Sequence, residues 1–201
     1  KIKRAEAGDI VYFGNYEQDN YTSNGAEKIE WQVLAKENNK ELVISKYALD
    51  SQQYNTADKD VTWETCTLRT WLNGTFLNSA FSTNEQAAIA QTTVTADGNP
   101  EYDTDSGNAT TDKVFLFSID EANKYFSSGS ARQCKPTAFT LANGVWYEKD
   151  GGVVHYWRLR SPGGAQDYTA VVSGYDGSVA CYGFRVDDGA GAIRPAMWIN
   201  M

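Results

Sequence analysis

Residues 153–199 read VVHYWRLRSPGGAQDYTAVVSGYDGSVACYGFRVDDGAGAIRPAMWI. Apolar and aromatic residues cluster at 153–159, 168–173, 179–184 and 193–199. Gly163-Gly164, Asp176-Gly177 and Gly189-Ala190-Gly191 separate these runs. Short runs rich in Val, Tyr and Trp, bounded by glycine turns, predict four β-strands. The N-terminal third also reads as β. Residues 10–13 form an apolar run ended by Gly14. Residues 29–35 alternate, with Ile29, Trp31 and Val33 on one face. Residues 42–44 follow the polar turn Glu37-Asn38-Asn39-Lys40. That pattern predicts a hairpin in an antiparallel sheet.

The middle changes period. Leu68, Trp71, Leu72, Phe76 and Leu77 fall at helical spacings, weakened by Gly74. Ser82-Thr83-Asn84-Glu85 and Ser118-Ile119-Asp120-Glu121 are capping-box patterns ahead of apolar residues. Two or three short helices are expected, with a buried-type strand at 114–117. The order strands, helices, strands predicts one α+β domain over residues 1–201, its termini meeting in one sheet. Residues 95–112 form a polar loop rich in Asp, Asn, Gly and Thr. Loops this long inside a domain are usually functional or mobile.

Composition narrows the function classes. The chain has 201 residues, 41% hydrophobic and 22% charged, with six Trp, twelve Tyr and eight Phe. It can therefore bury a substantial core. Its net charge of −8 argues against nucleic acid or anionic lipid as partner, because both require a basic face. No apolar run reaches membrane-spanning length, so no membrane insertion is expected. The chain begins at Lys1. An export signal or anchor outside these residues is expected, with an extracellular or cell-surface location.

Catalytic motifs are sparse. The one histidine, His155, lies beside Tyr156 and Trp157 and reads as structural. No GxSxG, HExxH or P-loop pattern occurs. No catalytic residue and no obligatory cofactor is assigned. Cys66, Cys134 and Cys181 are too few for a disulfide framework and contain no CxxC pair. Cys66 is placed in the first helix. In the polar loop, Asp97, Asp103 and Asp105 are candidate ligands for Ca²⁺, which gathers hard oxygen atoms. Asp and Asn also fill loops because they make turns.

The aromatic stretch near the C-terminus suggests recognition. Tyr156, Arg158, Tyr168, Tyr175, Tyr182 and Arg185 are interleaved with Gly, Ser and Asp. This is the palette of adaptable binding surfaces. Trp157, Leu159, Val171, Val179, Ile193 and Trp198 are expected in the core.

Seven blocks then carry a family resemblance. They are FGNYEQ at 13–18, IEWQVL at 29–34, LVISKYALD at 42–50, TWETCTLRTWLN at 62–73, TDKVFLFS at 111–118, WRLRSPG at 157–163 and IRPAMWI at 193–199. In this order they resemble a family of bacterial domains of unknown function with a C-type-lectin-like fold. The last two blocks are also similar to formylglycine-generating-enzyme-like proteins and to variable proteins diversified by retroelements. The resemblance implies an α+β, C-type-lectin-like domain of mixed and antiparallel strands with short helices and long loops. It implies that Trp157, Leu159, Arg160, Arg194, Pro195 and Trp198 are scaffold. It also implies that Tyr168, Ser173, Tyr175, Tyr182, Phe184 and Asp187 point to a binding face.

Departures limit the transfer. The Glu-Pro-Asn and Gln-Pro-Asp triplets of calcium-dependent sugar-binding lectins are absent. Cys181 is the one cysteine of the C-terminal block, where formylglycine-generating enzymes use a pair. Trp157-Arg158-Leu159-Arg160 replaces the usual Trp-Trp-Leu-Arg and is expected to put a cation in or near the face. The leading expectation is a non-enzymatic, adhesin- or receptor-like module. Its ligand-binding residues are Tyr156, Arg158, Tyr168, Ser173, Tyr175, Tyr182, Phe184, Arg185 and Asp187, and its partner is a protein or glycan. The alternatives are a formylglycine-generating-like oxidoreductase, a carboxylate-dependent hydrolase, or a structural domain of a surface protein.

Overall fold

The computed structural model describes residues 5–149 and 152–201. The first strands are β1 (Ile10–Tyr16), β2 (Glu27–Glu37) and β3 (Lys40–Ser45). The β2–β3 hairpin closes through Asn38 and Asn39, at φ 47° and 61°. Positive φ at both central residues matches the twist of the flanking strands, and Asn tolerates it. Alternation along β2 buries Ile29, Trp31 and Val33 completely, as the period-two pattern requires.

After β4 (Asp50–Ser51), the segment 67–80 is helical but not regular. It comprises α1 (Thr67–Trp71), a π-helical turn over Leu72–Phe76 and α2 (Leu77–Ala80). The widened turn contains Gly74 and lets Leu68, Leu72, Phe76 and Leu77 all face the core. Cys66 precedes α1 and caps it, its sulfur accepting from the Arg69 N–H. It is not inside the helix. Both capping boxes form, at α3 (Thr83–Ala88), and, after β5 (Thr92–Val94) and β6 (Thr110–Asp112), at α4 (Ile119–Tyr125).

Two elements correct the sequence expectation. Residues 114–117 are buried but pair with other strands through a single bridge, Phe115 to Ala196, so they do not form a strand. Residues 129–142 hold two one-turn helices that no sequence pattern above predicts, α5 (Gly129–Arg132) and α6 (Ala138–Ala142). One turn is too short to show a 3.6-residue period. Their signals are the caps Ser128 and Thr137.

Glycine turns bound most of the C-terminal strands, but the expected strand at 153–159 divides at His155 into two strands of different sheets. The C-terminal strands are β7 (Tyr147–Glu148), β8 (Val153–Val154), β9 (Tyr156–Pro162), β10 (Tyr168–Ser173), β11 (Val179–Arg185), β12 (Ala192–Ile193) and β13 (Ala196–Asn200). One sheet has the order β1-β2-β3-β13 and a second the order β11-β10-β9-β12-β4. The first and last strands thus share a sheet.

The expected strand at 193–199 divides at Arg194-Pro195 and joins the two sheets. Pro195 has no N–H for a ladder, and its carbonyl accepts from Ser45 N at 2.9 Å. Arg194 is buried there. Its Nε donates to the Ser45 carbonyl at 2.8 Å, and its guanidinium lies 5.2 Å from the Phe126 ring and 5.3 Å from Trp157. One buried cluster takes side chains from both sheets and from the helices. The protein is therefore a mixed α+β fold with sheets antiparallel except at the β9–β12 pair and with few, short helices.

Candidate functional site

The second sheet arranges the aromatic C-terminal stretch. Its strand β9 lies between β10 and β12, and every residue from Tyr156 to Pro162 is buried. This corrects the placement of Tyr156 and Arg158 on a ligand face. Arg158 is 0% exposed. Its Nη1 donates to Thr169 Oγ1 at 2.9 Å. Its Nη2 donates to the carbonyls of Arg185 at 3.0 Å and Asp188 at 2.6 Å. Its Nε has no partner and points toward Gly191, where any Cβ would come within 2.5 Å. Burial pulls the Arg158 guanidinium below its ordinary range.

Tyr156 stacks on half-buried Phe184 at 4.1 Å and 8° between planes, and its hydroxyl donates to Asp188 Oδ2 at 2.7 Å. Burial, opposed by nearby Arg158 and reinforced by Asp188, raises the Tyr156 pKa. These two residues and Phe184 therefore fasten the 185–191 segment to the sheet from below.

Above this layer the strands are bulged. Thr169 pairs with Phe184 and Val171 with Ala180, so three β11 residues oppose Ala170. Gly183 sits in this bulge at φ 71°, and a Cβ there would lie 1.7 Å from the Thr169 carbonyl oxygen. The bulge turns Tyr182 outward. Tyr182 is 53% exposed, and its ring rests over Gly164, where a Cβ would meet it at 2.2 Å. Its ring centroid is 5.3 Å from Tyr168 and 5.8 Å from Tyr102, both edge-on. The glycine pair thus acts as a bed for an aromatic ring, beyond its role as a turn.

Tyr102 was not singled out from sequence. It lies in the polar loop, which is pinned down. Asn99 Nδ2 donates to the carbonyls of Pro162 and Cys181, both at 2.8 Å. Thr104 Oγ1 donates to Gly163 O at 3.0 Å, and Asp105 N to Gln166 Oε1 at 2.8 Å.

Arg185 pairs in register with Tyr168 and stands beside these rings. It is ion-paired to Asp58, to Asp187 at 3.3 Å and to Asp167 at 3.8 Å. Three carboxylates around one guanidinium leave a negative excess. The hydrogen bond Arg185 donates to Asp187, with the charges of Asp58, Asp187 and Asp167, holds the Arg185 pKa up.

The structure separates Ser173 and Tyr175 from this group. They lie at the opposite end of the β10–β11 hairpin, roughly 17–20 Å away along a strand of this length. Tyr175 is 84% exposed, and its carbonyl accepts from Gln133 Nε2.

The loop carboxylates do not converge as metal ligands. Asp97 lies 3.6 Å from buried Arg160 and accepts from Thr95 Oγ1, while Asp105 accepts from Gly107 N. Among the described residues, the acidic group within mutual ligating reach is Glu17, Asp19 and Glu27. Those three already accept backbone N–H bonds from Gln18, Asp19 and Tyr21.

The cysteines are three free, buried thiols. Burial pushes Cys66 up to about 12 and Cys181 up to about 11, with Glu101 adding to the latter. Cys134 is raised by the same cause. Trp146, another exposed aromatic at 53%, meets His155 edge-on at 6.1 Å. His155 Nε2 lies 3.1 Å from Glu148 Oε1.

Fold and surface together define an α+β domain whose bulged sheet carries a tyrosine cluster at one end. A family model described as Domain of unknown function (DUF6273) matches residues 38–201, and the chain belongs to that family. No similar curated protein and no similar solved structure was found. No helix among the described residues is long and apolar enough to cross a membrane.

Proposed function

We propose that this chain is a non-enzymatic ligand-binding module with a C-type-lectin-like fold, working as an adhesin- or receptor-like domain at a cell surface. Its partner is a protein or glycan. The observation that carries this reading is the cluster of Tyr102, Tyr168 and Tyr182, drawn from three chain segments, with the central Tyr182 seated over Gly164. Partly exposed aromatic clusters on rigid elements mark contact surfaces, because tyrosine gives large contact area at low entropic cost.

The rigidity comes from buried arginines. Arg160 donates to Thr95 O at 3.0 Å and Leu116 O at 2.8 Å, and pairs with the capping glutamate Glu121. It thereby ties the polar loop and α4 to the sheet beneath the face. The first and last strands meeting in one sheet, and the long loop folded over the other, support the C-type-lectin-like assignment. Thiols held neutral by burial do not favour the oxidoreductase alternative, which needs a reactive thiolate.

The test is a protein and glycan array probed with wild type, the Tyr168→Ala/Tyr182→Ala double variant and Tyr175→Ala. Signals should fall for the double variant and persist for Tyr175→Ala. A folded double variant with every wild-type signal intact defeats the reading.

A further inference from the structure

We propose that the tyrosine face, read as above to be a binding surface, takes a lysine- or arginine-rich segment of a partner protein. Beside the face lies an open groove of about 440 Å³, lined by Asp60, Glu64, Asp105, Gln166 and threonines, with no cationic side chain. The face and the groove are one surface, because three segments serve both. Asp58, paired to Arg185 on the face, is two residues from Asp60 in the groove. Tyr102 on the face is three residues from Asp105, which spans at most ~10 Å. Gln166 in the groove holds the Asp105 carbonyl with its Nε2 at 2.8 Å and is two residues before Tyr168.

Charge and chemistry then select the occupant. Two cations lie here: Arg185, already matched by Asp58, Asp167 and Asp187, and exposed Lys59 between Asp58 and Asp60; with Glu64 and Asp105 the acids number six against these two. The surplus carboxylates need positive charge from outside. Tyrosine rings attract ammonium and guanidinium groups at their faces. A neutral sugar would bury those carboxylates without compensating them, and an anionic partner would be repelled. A cationic side chain gains from both the rings and the acids. Their spread along the surface fits successive basic residues of one peptide better than a single small cation.

The experiment titrates fluorescently labelled oligolysine into the whole chain, with a Gly/Ser peptide and spermine as controls. Oligolysine is expected to bind, the Gly/Ser peptide to show nothing, and spermine to bind more weakly. Affinity should fall roughly tenfold or more as salt is raised, since exposed charges are screened. Asp60→Asn/Glu64→Gln should weaken binding by about tenfold, and Tyr182→Ala by about threefold without changing charge. Glu6→Gln/Glu37→Gln removes two exposed charges flanking Lys36 of β2, on the other sheet, and should leave affinity unchanged. Melting curves verify that each variant is folded.

Absent oligolysine binding, or equal loss from the distant pair, overturns the proposal, as does equal affinity for spermine. The array keeps the two readings apart. A neutral ligand lost on Tyr168→Ala/Tyr182→Ala leaves the binding face standing and removes the basic partner. No tyrosine-dependent signal of any kind removes both.

Discussion

The two ends of the β10–β11 hairpin carry similar residues and are built differently. At one end Tyr182 rests on Gly164, touches two further tyrosine rings and is backed by buried Arg158 and Arg160. At the other, Tyr175 stands in a turn with its ring in solvent. Residue type alone does not separate them, because both are tyrosines among Gly, Ser and Asp. What separates them is the layer underneath. A side chain held by packing loses little further freedom on binding, whereas a free one must be ordered at that moment.

The comparison is broken most severely from beneath. Arg158→Ala removes the donors to Thr169, Arg185 O and Asp188 O and opens a void under β10. We expect a loss of about 3 kcal/mol or more in urea unfolding, because buried acceptors are left unpaired. A loss within about 0.5 kcal/mol would mean that the 185–191 segment does not depend on this arginine. Gly183→Ala follows, at about 1–3 kcal/mol. It combines positive φ with a Cβ 1.7 Å from the Thr169 oxygen. Its diagnostic is an altered Tyr182 environment by NMR, with the Tyr175 resonances unmoved.

Alkaline pH probes the same layer. The folded pKa of Tyr156 is raised above its unfolded value. Its contribution to stability is therefore complete below about pH 10, the ordinary phenol value, and is lost as pH rises beyond it. Tyr156→Phe keeps the stack on Phe184 but abolishes this part of the alkaline loss. Melting temperatures from pH 8 to pH 11 measure it. An identical alkaline slope in wild type and variant would contradict the burial assigned to Tyr156.

The sheets were legible in the sequence to the degree that their signals are local. Asn38-Asn39, the alternation through Ile29, Trp31 and Val33, and the two capping boxes each act within a few residues. Tyr156 and Arg158 were misplaced because burial on both faces of a central strand depends on β10 and β12, far along the chain. A continuous run of large residues is the weak sign of such a strand, and an arginine in it hides that sign. The site was half legible. Tyr168, Tyr182, Arg185 and Asp187 do stand at one end of the hairpin. Tyr102 and Asp58 were missed because their contacts to the sheet span 60 or more residues and leave no periodicity, and Asp167 because a lone acid before a strand reads as a turn residue. Asn99, whose side chain bonds two strand carbonyls, is what brings Tyr102 in. The loop's acidity suggested calcium instead, yet Asp97 and Asp105 are engaged by Arg160 and by a turn.

The smallest effects sharpen the comparison best, because they compare tyrosine with tyrosine. Tyr182→Ala should destabilise the fold by about 1 kcal/mol, the scale of an edge-on aromatic pair. Tyr175→Ala should stay within about 0.5 kcal/mol, as for other exposed substitutions. Both changes delete the same atoms, so the difference isolates what the Gly164 bed and the neighbouring rings contribute. Tyr102→Ala/Tyr182→Ala, set against the two single variants, then gives the coupling across the 5.8 Å contact. A coupling of zero, with Tyr182→Ala as mild as Tyr175→Ala, would mean that the cluster is an accident of proximity and holds no preformed surface.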